Sequence, residues 1–191
     1  MEIFNIPRYW ALTMKVRVAE IEDAASLVEI YRPYVEKTAI TFEYEVPTVE
    51  EYTQRMTQTL KKYPYLVLEN EQEKIVGYAY AGTYKGRTAY DWSVEVTIYL
   101  DQENHGHGYG KLLYTALEVY LSKQHVYQLT ACITVGNGAS EHFHEKLGYR
   151  KVAHFAQIGY KFGQWYDVCW MQKTLGDLPS QPAPFIPFSE L

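Results

Sequence analysis

Residues 89–121, AYDWSVEVTIYLDQENHGHGYGKLLYTALEVYL, decide the fold. Trp92, Val94, Val96, Ile98 and Leu100 alternate with Asp91, Ser93, Glu95, Thr97 and Tyr99, the period of a strand with one apolar and one polar face. Glycines follow at 106, 108 and 110. An amphipathic helix comes next, with Leu112, Leu113, Ala116, Leu117, Tyr120 and Leu121 on its buried side and Lys111, Thr115, Glu118 and Ser122 outside. The opening turn of a helix has backbone N–H groups without intrahelical partners and the positive end of the macrodipole. Glycines let an anion approach that backbone without Cβ interference, so the segment is expected to hold a phosphate compound.

Spacing excludes two common phosphate loops. A Walker A loop needs a glycine five residues before Gly110-Lys111 and a Ser or Thr after it, but His105 and Leu112 stand there. A dinucleotide fingerprint needs a third glycine at 111 or 113, which are Lys and Leu. What remains is x-x-x-Gly-x-Gly running into a helix.

The rest of the chain suits one domain with a substantial core: 191 residues, 47% apolar and 21% charged. The net charge of −5 gives no footprint for nucleic acid or an anionic membrane, and no apolar run reaches transmembrane length. Cys132 and Cys169 lie in apolar strand-like runs without metal or redox spacing, and read as core thiols of a reduced, cytoplasmic protein. Residues 1–13 have neither a basic n-region nor a clean apolar h-region, and read as an extension or an over-long start assignment. The 19 tyrosines suit strands, or a pocket for a polar small molecule.

Around the central segment the pattern predicts the order β-α-α-β-β-β-α-β-α-β-β. Lys15 opens the first strand. Asp23 is expected to cap a first helix that Pro33 breaks or kinks, and Thr48 with Glu51 forms a capping box for a second. Strands at 65–68 and 74–84 precede the central strand. Strands at 127–135, 149–160 and 166–173 and a short helix at 139–147 follow it. Four of the eight prolines fall in residues 178–191, with Phe185, Ile186 and Phe188 among them, so this end reads as an arm docked on a surface. The expected organisation is an extension (1–13), one domain (14–175) and a proline-rich arm (176–191), in an α/β (α+β) architecture with helices on both faces of a mixed sheet.

The loop resembles the pyrophosphate loop of the GNAT acetyltransferase superfamily, Arg/Gln-x-x-Gly-x-Gly/Ala, with His105 where Arg or Gln is usual. Three further segments are similar to phosphinothricin N-acetyltransferases: Lys85-x-Arg87-x-Ala89-Tyr90-Asp91-Trp92 with Glu95, Thr97 and Tyr99; His144-Glu145-x-Leu147-Gly148-Tyr149; and Gly159-x-Lys161-x-Gly163-x-Trp165-x-Asp167-Val168. The resemblance implies the GNAT fold, a central twisted and mostly antiparallel sheet of about seven strands. It implies transfer of acetyl from acetyl-CoA to the α-amine of phosphinothricin, methionine sulfoximine or a related amino acid in a ternary complex, by a homodimer. The histidine spacing gives no metal.

On that resemblance Glu95 is the expected general base, since an α-ammonium must lose a proton before its nitrogen attacks a thioester and partial burial raises a carboxyl pKa. A bland alternative is an exposed strand glutamate. His144 is expected in the active site, against the alternative of a helix-surface histidine. The cofactor is expected on the backbone near Ile98, Tyr99 and Leu100, on the loop His105, Gly106, His107, Gly108, Tyr109, Gly110 and Lys111, and on Asn137. The substrate is expected against Phe42, Lys85, Arg87 and Tyr90, since Arg grips a carboxylate or phosphinate bidentately. Lys161 reads as a solvated charge. His142 and His144, two apart on a helix, point to opposite sides and cannot share an ion. Two other readings are a peptide or protein N-terminal acetyltransferase and a non-catalytic acyl-CoA-binding module.

Overall fold

The computed structural model describes residues 14–191, and the extension expected at 1–13 lies outside them. The elements are β1 (Lys15–Val18), α1 (Ala24–Lys37), α2 (Val49–Lys62), β2 (Tyr65–Glu69), β3 (Ile75–Thr83), β4 (Ser93–Leu100), α3 (Tyr109–Lys123), β5 (Gln128–Thr134), α4 (Gly138–Lys146), β6 (Arg150–Lys161) and β7 (Gln164–Thr174). They follow the predicted order. The sheet runs β1-β2-β3-β4-β5-β7-β6, with every neighbouring pair antiparallel except β4–β5.

Two cores form because helices cover both faces. Leu113, Tyr114, Leu117 and Leu121 of α3 pack on Leu66, Ala79, Val94, Val96, Leu129 and Ala131. Leu27, Val28, Tyr31 and Tyr34 of α1, with Tyr52 and Met56 of α2, pack on Tyr65, Val67 and Tyr78. The face of β4 that looks polar in sequence is therefore also covered: Tyr99 meets Tyr31 and Tyr34 edge-on, with ring centroids 4.8 and 4.9 Å apart.

Local capping follows the sequence at α2, where Thr48 and Glu51 bond each other's backbone N–H. It differs at α1. The Asp23 carboxylate binds the Arg17 guanidinium at 2.7 and 2.8 Å and the Glu20 N–H at 2.8 Å, so it closes a short 3-10 turn instead of capping the helix. α1 also runs unbroken through Pro33, because its face from Ala24 to Val35 is held by the core. Cys169 is buried, but Cys132 is exposed, since Leu129, Ala131 and Ile133 take the face of β5 turned to the α3 core and position 132 points the other way.

Residues 178–191 lie on the same body. Trp92 Nε1 donates to Ala183 O (2.7 Å), Gln124 Nε2 to Ile186 O (2.8 Å), and Phe185 packs on Tyr63.

Candidate active site

The parallel β4–β5 pair has only three rungs, Ser93↔Gln128, Val94↔Leu129 and Glu95↔Thr130. Beyond Glu95 the strands part. Asp101 N bonds Val76 O, so odd positions of β4 turn their amides to β3 and even positions turn theirs toward β5. Val96 and Ile98 thus direct N–H and C=O groups into the gap. Of the three backbone positions expected there, Tyr99 faces β3 and Leu100 gives its carbonyl to the Tyr34 hydroxyl (2.6 Å), which leaves Ile98.

Glu95 stands at the apex of this gap, half-buried, on the face that also carries Thr130, Cys132 and Thr134. Burial raises its pKa, and the positive charge of Lys85 opposes that.

His144 is 3% exposed, the buried residue of an otherwise exposed or half-buried α4, and not a surface histidine. Its Nδ1 lies 2.8 Å from Ser140 O, a pure acceptor, so Nδ1 carries the proton. Nε2 is then the acceptor for the Tyr114 hydroxyl at 3.1 Å, and burial lowers the imidazole pKa. Sequence reasoning missed Tyr114. Its signal was an aromatic hydroxyl on the apolar side of α3, where a buried phenol needs a partner.

In the glycine loop, Gly106 (φ 82°) and Gly108 (φ 79°) take left-handed backbone with open space where a Cβ would stand. Gly108 is the residue before α3, whose first turn carries no acidic side chain. At Gly110 a Cβ would come within 2.9 Å of Phe143 and 3.3 Å of Ile98, so α3 sits hard against α4 and β4. His105 lies 3.0 Å from the Tyr34 hydroxyl through Nε2, tied back to α1. His107 and Lys111 are exposed, and Tyr109 is half-buried with its ring 5.4 Å from that of His107. Asn137 caps α4 with its side-chain oxygen on Ser140 N at 3.3 Å, at φ −86°, so its amide nitrogen remains as donor.

Phe42 belongs to the α1–α2 loop and lies against Gly159 and Tyr166. Lys85, Arg87 and Tyr90 sit on the exposed β3–β4 connection, with Tyr90 edge-on to Tyr84. Among the described residues no carboxylate pairs with Arg87. Lys161 overturns its sequence reading: 1% exposed, it donates to Val35 O, Thr38 O and Thr41 O instead of standing in solvent. Between these elements a cavity of about 90 Å³ is lined by Tyr31, Tyr52, Tyr65, Tyr80, Tyr99, Thr59 and the Glu43–Arg55 pair. Among the described residues no cluster of His, Cys, Asp and Glu could hold a metal, and no helix is long and apolar enough to cross a membrane.

Residues 16–170 match the family model for an acetyltransferase (GNAT) domain. The chain belongs to the GNAT acetyltransferase family. As a GNAT enzyme it uses acetyl-CoA as co-substrate. It is 34% identical over 178 residues to a phosphinothricin N-acetyltransferase of Streptomyces viridochromogenes, covering 93% of this chain and 96% of that one. An L-methionine sulfoximine/L-methionine sulfone acetyltransferase of Pseudomonas aeruginosa is 30% identical over 172 residues, 90% of this chain and 100% of that one. Among solved structures, a GNAT superfamily phosphinothricin acetyltransferase from Sinorhizobium meliloti in complex with AcCoA superposes with a TM-score of 0.87 at 32% identity, over 93% of this chain and 98% of that one.

Proposed function

We propose that the chain acetylates the α-amine of phosphinothricin, methionine sulfoximine, methionine sulfone or a related small amino acid. The observation that carries this reading is Glu95: a half-buried carboxyl of raised pKa at the point where β4 and β5 part. Acetyl-CoA supplies an acetyl group activated as a thioester. The residues present suit it: Gly106 and Gly108 leave an open backbone ahead of α3, Lys111 adds a positive charge, and Val96, Ile98 and the Asn137 amide offer donors.

In this reading Glu95 takes the proton from the ammonium, and an amide of β4 donates to the carbonyl oxygen as negative charge develops on it. His144, with Nδ1 protonated and Nε2 engaged by Tyr114, is set to orient the Tyr114 hydroxyl rather than to donate. Lys85, Arg87 and Tyr90 hold the substrate's acidic groups, and Phe42 covers its side chain. One catalytic domain at 14–175 carries all of this, with residues 176–191 as an arm. We place the enzyme in the cytoplasm, where acetylation removes a toxic amino-acid analogue. We further propose a homodimer through the β6 edge of the sheet, where Val152 and Ile158 of β6, with Phe162 of the β6–β7 turn and Trp165 of β7, are 55–60% exposed.

Thiol release from acetyl-CoA, followed with a thiol-reactive dye, tests the reading against phosphinothricin, the two methionine derivatives, ordinary amino acids and peptides. Turnover on the analogues is expected. Turnover on peptides alone moves the chain to the protein-acetylating class, and stabilisation by acetyl-CoA without thiol release makes it a binding module.

A further inference from the structure

The loop of residues 38–48 carries Phe42, and three consecutive residues at the end of β6 hold it. At Gly159 an added Cβ would stand 2.4, 2.6 and 2.7 Å from three atoms of the Phe42 ring, so the ring sits where a side chain is missing. Tyr160 gives its carbonyl to the Tyr44 hydroxyl. Lys161 gives its ammonium to Val35 O (2.7 Å), Thr38 O (2.9 Å) and Thr41 O (2.8 Å). An ammonium has three protons, so the set is saturated. Val35 lies in the last turn of α1 and Thr38 follows it, where carbonyls lack helical partners and the dipole is negative, which favours a cation.

The aim of these residues depends on a bulge. Between Phe155↔Val168 and Gly159↔Tyr166, β6 advances four residues while β7 advances two. Asp167 holds the excess, accepting from Gln157 N at 2.8 Å and meeting His154 Nε2 at 2.8 Å, with Gln157 at φ 48°.

We propose that Lys161 is a positioning residue: with Gly159 it fixes the Phe42 loop and thereby sets affinity for the amine substrate, leaving the acetyl-CoA side untouched. The proposal rests on the placement of the amine beside Phe42 given above. A lysine that only stabilised the core would lower the melting temperature of its variant and leave both Michaelis constants alone.

Lys161→Met is compared with the native chain by hydrogen exchange and by steady-state kinetics with both substrates. Exchange in residues 38–44 is expected to rise about tenfold or more with α3 unchanged, and KM for the amine to rise about tenfold or more while KM for acetyl-CoA stays within about twofold. Gly159→Ala, which keeps the lysine and displaces the ring, is expected to give the same KM split and covers the case in which Lys161→Met does not fold. Unchanged exchange at 38–44, or an amine KM unmoved in the folded variants, overturns the proposal. If the native chain acetylates no amine offered, the functional reading fails, and loop exchange alone decides whether Lys161 fixes the loop.

Discussion

At the scale of single residues the reaction rests on where protons reside. A carboxyl whose pKa is raised by burial is a base only above that pKa, so kcat/KM should fall as pH drops through a value above the ordinary carboxylate range. Glu95→Gln should lower kcat by about 10²–10⁴ and abolish that acid limb; a retained limb would assign the proton elsewhere. Lys85 opposes the shift, so Lys85→Gln should move the limb to higher pH, whatever it does to KM. Tyr114→Phe tests the histidine. It leaves Nε2 of a buried imidazole without a donor, which should cost about 1–3 kcal/mol in urea unfolding and lower kcat more than it raises KM for acetyl-CoA.

Elements carry the glycine loop and its register against the sheet. Gly110→Ala should be destabilising by about 1–3 kcal/mol from overpacking against Phe143, partly offset by about 1 kcal/mol of helix propensity, and should raise KM for acetyl-CoA because α3 must shift. Chemical denaturation and steady-state kinetics check both. This element was the most legible part of the chain, because alternation through β4 and the glycines before α3 are local signals. Parity alone placed Glu95 on the face opposite Val94 and Val96. The partners of Tyr114 and Lys161 were not legible, since they are His144, 30 residues away, and the carbonyls of Val35, Thr38 and Thr41, 120 to 126 residues away in sequence. A lysine inside a Gly-x-Lys-x-Gly run looks solvated until the chain that wraps it is known. Asp23 misled for a related reason: Arg17 competes for the carboxylate that would otherwise cap α1.

For the whole molecule, the arm and the β6 edge make different predictions. Removing residues 178–191 exposes Tyr63 and leaves the Trp92 indole and the buried Gln124 amide without their arm partners, so stability should fall by about 2–5 kcal/mol with no change in oligomeric state. Ile158→Asp should instead give a monomer in light scattering at unchanged melting temperature of the isolated chain.

The brevity of the β4–β5 pairing has a mechanical meaning. Three rungs join a four-stranded plate, β1 to β4, to a three-stranded plate, β5 to β7, so the sheet is two plates meeting along a short seam with an internal edge left open. An extended, amide-bearing chain such as the pantetheine arm can bridge that edge as an extra strand would. The co-substrate would then act as a staple as well as a reagent: saturating acetyl-CoA should slow amide exchange in β5 and in the second half of β4 beyond what mass action gives the rest of the fold.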